Sequence, residues 1–196
     1  MKRILYYLLF SAIAMTTYSQ TDNPSYYAEI PDYPDSFSAG TITSRLLDGL
    51  GFRYYWATEG LRSEDLAYRP SEEARTAEET LDHVLGLSQV IVNTSRKKVH
   101  KGIDSEGMSF EEKRNLTLKN VAEASMVFRE ASDEEMKGFE MIFKRQNGEL
   151  AYPLWNLING PIADALWHVG QVVTFRRASG NPFDSKVSVL QGKRRE

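Results

Sequence analysis

The sequence predicts an all-α fold, a bundle of four helices with one small β-hairpin ahead of the last long helix. Three observations carry this. Apolar residues recur at three- and four-residue steps over long segments. Two Ser/Thr-x-x-Glu capping boxes mark helix starts, and strand-like runs are confined to one stretch around an Asn-Gly pair.

From about Thr41 to Leu61 the residues Ile42, Leu46, Leu47, Leu50, Tyr54 and Ala57 follow the helical step, which predicts a first long helix. Ser63 to Arg75, with Pro70 and Ser71, breaks that pattern. Thr76-Ala77-Glu78-Glu79 is a capping box, because the Thr76 hydroxyl can accept from the Glu79 amide while Glu79 reaches back; a second helix runs on to about Lys98. The basic cluster Arg96, Lys97, Lys98, His100 and Lys101 reads as the end of that helix facing its own dipole, with His100 in solvent. Lys101 to Met108 makes a loop, and Ser109-Phe110-Glu111-Glu112 caps a third helix reaching about Ala131.

Met136 to Tyr152 places Asn147-Gly148 between short β-favouring runs, the signature of a hairpin. A fourth helix starts near Pro153, whose ring suits a first turn, and ends at Gly180-Asn181-Pro182. Pro161 lies inside it, so a kink or restart is expected one turn before Asp164.

The N-terminus has its own logic. Met1-Lys2-Arg3, the apolar run Ile4 to Met15 and the small residues Thr17 and Ser19 form an export signal over residues 1–19, with the cut expected before Gln20. Its apolar run is too short to span a bilayer, so no stable membrane anchor is expected after cleavage and the mature chain belongs in the periplasm or outside the cell. Roughly 175 residues remain, enough for one domain with a full core. They divide into an irregular, proline- and tyrosine-rich arm (20–40), the bundle (41–182) and a tail (183–196) that looks peripheral. The absence of cysteine excludes disulfides, thiolate ligands and a cysteine nucleophile. A net charge of -3 with mixed signs gives no basis for nucleic-acid binding.

The chemistry concentrates in three side chains. Asp164 and His168 stand four residues apart, hence on one face of the fourth helix, and His83 lies two turns into the second. Two imidazoles and a carboxylate with open positions suit catalytic zinc or non-haem iron. The same residues also fit a plain i,i+4 pair, or an Asp164 that caps a helix restarted after Pro161. Around them, Glu79 is placed to orient His83, Trp155 and Asn159 to line an entrance with Gln171, and Arg176 and Arg177 to meet an anionic substrate or answer the helix dipole. The tryptophans Trp56, Trp155 and Trp167 read as core by size.

Glu79-Thr80-Leu81-Asp82-His83-Val84-Leu85-Gly86-Leu87, followed much later by Trp167-His168-Val169-Gly170-Gln171 and Arg176-Arg177, resembles the DinB/YfiT-like superfamily over about Thr41 to Pro182. The resemblance implies a four-helix bundle, often a homodimer, with a divalent ion held by one histidine of the second helix and two histidines four apart on the last. His83 and His168 match two of those positions, and Asp164 stands where the third histidine is common. Zinc is the first expectation for the ion, nickel or iron the next. The resemblance further implies a small-molecule substrate and a hydrolase or transferase reaction, in which the metal acts as a Lewis acid on a bound thiol or water. The alternative is an exported bundle that binds metal or a partner without catalysis.

Overall fold

The computed structural model describes residues 26–196, and the expected export signal lies outside them. The chain is mostly helical, with two small β-sheets. Its elements are α1 (Ala39–Thr58), α2 (Ser63–Ala67), α3 (Ala77–Ser95), β1 (Val99–His100), α4 (Phe110–Glu130) and α5 (Asp133–Lys137), then β2 (Glu140–Arg145) and β3 (Gly148–Pro153). The last helical stretch follows directly as α6 (Leu154–Leu157), a π-helical turn (Ile158–Ile162) and α7 (Ala163–Ala178); the tail adds β4 (Val187–Ser188) and β5 (Lys193–Arg194). Among the described residues, no helix is long and apolar enough to cross a membrane.

Three of the long helices, α1, α3 and α4, begin where a side chain satisfies free amides. Ser38 and Thr41 cap α1 reciprocally, Thr76 and Glu79 cap α3, and Ser109 and Glu112 cap α4. α1 and α3 both pack against α4 and α7. The core forms where their apolar stripes meet: Leu47 and Phe52 of α1, Ile91 of α3, Phe128 of α4, and Ile162 and Val172 of the last helix are at most 1% exposed. Each such side chain contributes about 1.5–3 kcal/mol through burial.

Gly40 sets the closest approach in this packing. A Cβ there would stand 2.2 Å from the Phe128 carbonyl oxygen and 2.8 Å from that of Ala131, so only glycine lets the start of α1 lie on the end of α4.

Several elements depart from the sequence-based expectations. α3 stops at Ser95 instead of about Lys98. The amides of Lys97 and Lys98 turn back onto the Thr94 and Asn93 carbonyls with Lys97 left-handed at φ 53°, a Schellman closure. The basic cluster is therefore a cap and a strand, and it does not face the helix dipole from a last turn. Arg96 pairs with Glu123 of α4, and β1 runs parallel to β2 with His100 opposite Phe143. His100 is half-buried rather than free in solvent, and burial pulls its pKa down. The hairpin forms as expected, with Met141 opposite Tyr152 and a two-residue loop between Arg145 and Gly148.

The segment read as a break contains α2, held by Asp65. This buried carboxylate accepts from the Arg62 amide at 2.8 Å and from Ser179 and Asn181 at 2.5 and 2.6 Å, joining α2 to the end of α7.

The arm is irregular but packed. Tyr27 is buried and donates its hydroxyl to Asp48, which also receives Ser125 and the Arg129 guanidinium. Burial, reinforced by Asp48, pushes the Tyr27 hydroxyl far above the ordinary tyrosine range, so it remains a neutral donor. The tail is not peripheral: β4 pairs with β5, Val187 is buried, and Gly192 accepts the Ile30 amide at 2.8 Å, fastening tail to arm.

Candidate metal centre

α3 and α7 lie side by side, and each contributes to one cluster on their seam. His83 comes from the second turn of the Thr76-capped helix. Asp164 and His168 come from α7, one turn apart, immediately after the π turn. Pro161 has no N–H to give, so the ordinary i→i+4 bond to Leu157 is lost there, and the Ala163 amide reaches the Ile158 carbonyl, five residues back. The expected disturbance is thus a wide turn rather than a break, and Asp164 continues a helix instead of capping a new one.

Asp164 bridges the two rings. Its Oδ2 lies 3.2 Å from His83 Nε2 and its Oδ1 lies 3.3 Å from His168 Nε2, while the rings meet edge-on with centroids 4.7 Å apart. One ligand atom from each residue falls within 4.8 Å of the other two, so the cluster could hold a metal ion. With bonds of about 2.0–2.1 Å in a tetrahedral shell, adjacent ligand atoms stand roughly 3.3 Å apart; the two contacts have that length but run to different carboxylate oxygens, so an ion would draw one Asp164 oxygen toward both rings. His168 is 16% exposed in its side chain, His83 36% and Asp164 41%, so the cluster reaches solvent instead of being sealed by packing.

His168 Nδ1 lies 2.8 Å from Gln171 Oε1, an acceptor. With the ring N–H donated there, Nε2 of the neutral ring presents a lone pair toward the Asp164 carboxylate. Two lone pairs facing each other at 3.3 Å call for a positive charge between them, either a second ring proton or a cation.

The remaining expected residues divide. Gln171 takes an orienting position beside His168. Glu79 is committed to its cap, accepting the Thr76 amide at 2.7 Å with Arg69 at 3.9 Å, and makes no hydrogen bond to His83. Its carboxyl is held below the usual range, first by that backbone donor. Trp155 and Asn159 are exposed; Trp155 lines a groove of about 560 Å³ with Ile42, Met136 and Ile158, away from the three cluster residues.

Arg176 is held inside the fold. It is 5% exposed and donates to the carbonyls of Trp56, Ala57 and Asn181, a structural role; burial pulls its pKa down from the ordinary arginine value. The tryptophans also depart from a core reading: Trp56 is half-buried and donates to Ala28, but Trp155 and Trp167 are 77% and 73% exposed. Trp167 lies about 200° around the helix from both Ala165 and Val169. It therefore falls off the apolar stripe and beside Asp164 and Gln171, a position that counting helical phase would have found.

No family model, curated protein or solved structure matches the chain.

Proposed function

We propose that this chain is a DinB-like four-helix bundle that holds one divalent ion between His83, Asp164 and His168, with zinc the first choice and nickel or iron behind it, and acts as a hydrolase or transferase. The observation that carries the reading is the pair of contacts at His168: Nδ1 lies 2.8 Å from the Gln171 amide oxygen, which can only accept, and Nε2 lies 3.3 Å from a carboxylate oxygen, a facing of acceptors that an ion would relieve. Such an ion would supply Lewis acidity to a substrate atom at its open positions. The chain's own residues do the rest. Asp164 adds the negative charge that keeps the divalent ion, Gln171 fixes the ring, and the exposed Trp167 beside them offers an aromatic face to whatever approaches.

A second reading is favoured by one observation: the larger cavities among the described residues are lined by other side chains. In that reading the cluster is a protonated His–Asp–His hydrogen-bond group on a bundle that binds a partner without turnover. Metal analysis of protein purified without an affinity tag separates the two. About one ion per chain, lost on His168→Ala, supports the first, and equal metal in both proteins removes it. Catalysis is then tested on ester, amide and thiol-conjugation substrates, comparing metal-free with reloaded protein; unchanged turnover throughout leaves the binding reading. Export completes the proposal, with a mature chain beginning near Gln20; intact-mass analysis finding only chains that begin at Met1, in the cytosol, would refute it.

A further inference from the structure

The face of α7 that turns away from the metal cluster borders a cleft of about 840 Å³ between α1, α7 and the tail. That volume lies in the range of small-molecule sites. Much of its wall is apolar: Leu46 from α1, Leu166, Val169 and Val173 from α7, and Phe183 and Val187 from the tail. Three guanidiniums, Arg45, Arg53 and Arg177, also line it, in a chain whose net charge is -3.

These cations are little used by the fold. Among the described residues none of the three forms an ion pair; Arg53 donates to the Gly49 carbonyl, and Arg45 donates to the Pro31 carbonyl while lying 4.8 Å from the Tyr33 ring centre. Among the described residues Asp184 is the only carboxylate on the cleft wall, and it is engaged elsewhere: Oδ2 takes Arg194 at 2.7 Å and Oδ1 takes the Lys186 amide at 2.8 Å. Arg194 holds that carboxyl below its usual range, so it stays an occupied anion. Arg177, in the last turn of α7, also answers the helix dipole, but the dipole accounts for neither Arg45 nor Arg53 on the neighbouring helix.

We propose that this cleft binds a single amphiphilic anion, an alkyl or aryl tail bearing a carboxylate, sulfonate or phosphate, with the tail against Leu46, Val169, Val173 and Phe183 and the head held by Arg53 and Arg177. Guanidinium is suited to such heads because it donates two parallel hydrogen bonds and is weakly hydrated. The apolar wall selects for the tail. A cationic amphiphile would meet three like charges, and a short anion such as acetate would leave the wall against water. The site stands on residues separate from His83, Asp164 and His168, so it holds whether or not those bind metal.

Calorimetric titration of the full chain with dodecanoate, kept below its micelle concentration, tests this. One dodecanoate should bind per chain, more weakly as salt rises. Arg53→Gln and Arg177→Gln, checked for unchanged helical signal, should each weaken binding roughly tenfold, the loss of one charge-assisted contact. Dodecyltrimethylammonium and acetate should give no saturable heat. If either variant failed to fold, salt dependence and the comparison of anionic with cationic amphiphile on the parent protein would still decide.

The proposal is overturned if dodecanoate does not bind, or if neutral dodecyl maltoside binds as tightly and the arginine variants change nothing, which would mark a merely apolar cleft. Flotation with phosphatidylglycerol vesicles distinguishes the source of the anion. A protein that floats with them yet takes up no monomeric dodecanoate binds a lipid surface, and the single-molecule site is then wrong.

Discussion

Gln171 lies one turn beyond His168 and accepts its Nδ1 proton at 2.8 Å, which fixes both the tautomer and the tilt of the ring that faces Asp164. Removing that acceptor leaves the imidazole in place but frees it to rotate and to carry its proton on either nitrogen. Gln171→Ala should therefore weaken zinc binding about 10–100-fold while leaving the ratio at saturation unchanged. Competition against a chromogenic chelator reads this directly, and an unaltered affinity would show that Gln171 is a bystander.

Removing a ligand is more severe. His83→Ala and His168→Ala should each abolish stoichiometric metal, and Asp164→Asn should do so with little change in shape. Metal at 100 times its dissociation constant should stabilise the parent by about 2.7 kcal/mol, an increment absent from His168→Ala. Thermal melts with and without zinc check this; an equal shift in both proteins would place the ion elsewhere.

Much of this was legible from local rules. The Thr76/Glu79 and Ser109/Glu112 boxes are complete within four residues, so the starts of α3 and α4 could be read to the residue. The i,i+4 relation of Asp164 and His168 is equally local, whereas the approach of His83 depends on the packing of α3 against α7. β1 could not be read because two residues carry no period and its partner lies some forty positions onward. α2 was hidden because its cap is Asp65 bonding back to Arg62, in a segment whose prolines and serines suggest a loop. Arg176 misled because a cation near a helix end has an electrostatic reason that sequence shows and a structural one, the Trp56 and Ala57 carbonyls, that it does not.

The Asp65 staple makes stability depend on acid in a defined direction. Arg62 first, then Ser179 and Asn181, hold this carboxyl well below its usual range. A depressed native pKa adds stability that is complete above the ordinary aspartate value, about 3.9, and is lost as pH falls from there toward the native value. Melting temperature should fall steeply below about pH 4 in the parent. It should fall less steeply in Asp65→Asn, which begins less stable at neutral pH; parallel profiles would remove Asp65 from the acid response.

Gly40→Ala tests the closest helix contact. Its new methyl would stand 2.2 Å from a backbone oxygen, which cannot rotate aside like a side chain, so α1 and α4 must move apart. The expected loss is about 1–3 kcal/mol by chemical denaturation. Gly86→Ala, whose added atom would meet nothing within 4 Å, serves as the control, and equal effects from the two would refute the contact argument.

The wide turn at Ile158–Ile162 has a consequence for chain length. One turn there takes up one residue more than an α-turn does, so the helix leaves it on nearly the bearing it would have had with that residue missing. A deletion of Gly160 combined with Pro161→Ala, which restores the missing N–H, should close the turn to ordinary geometry and keep Asp164 and His168 aimed at His83. The same deletion between Asp164 and His168 would swing one ligand about 100° off the seam. Length is negotiable on one side of Ala163 and fixed on the other.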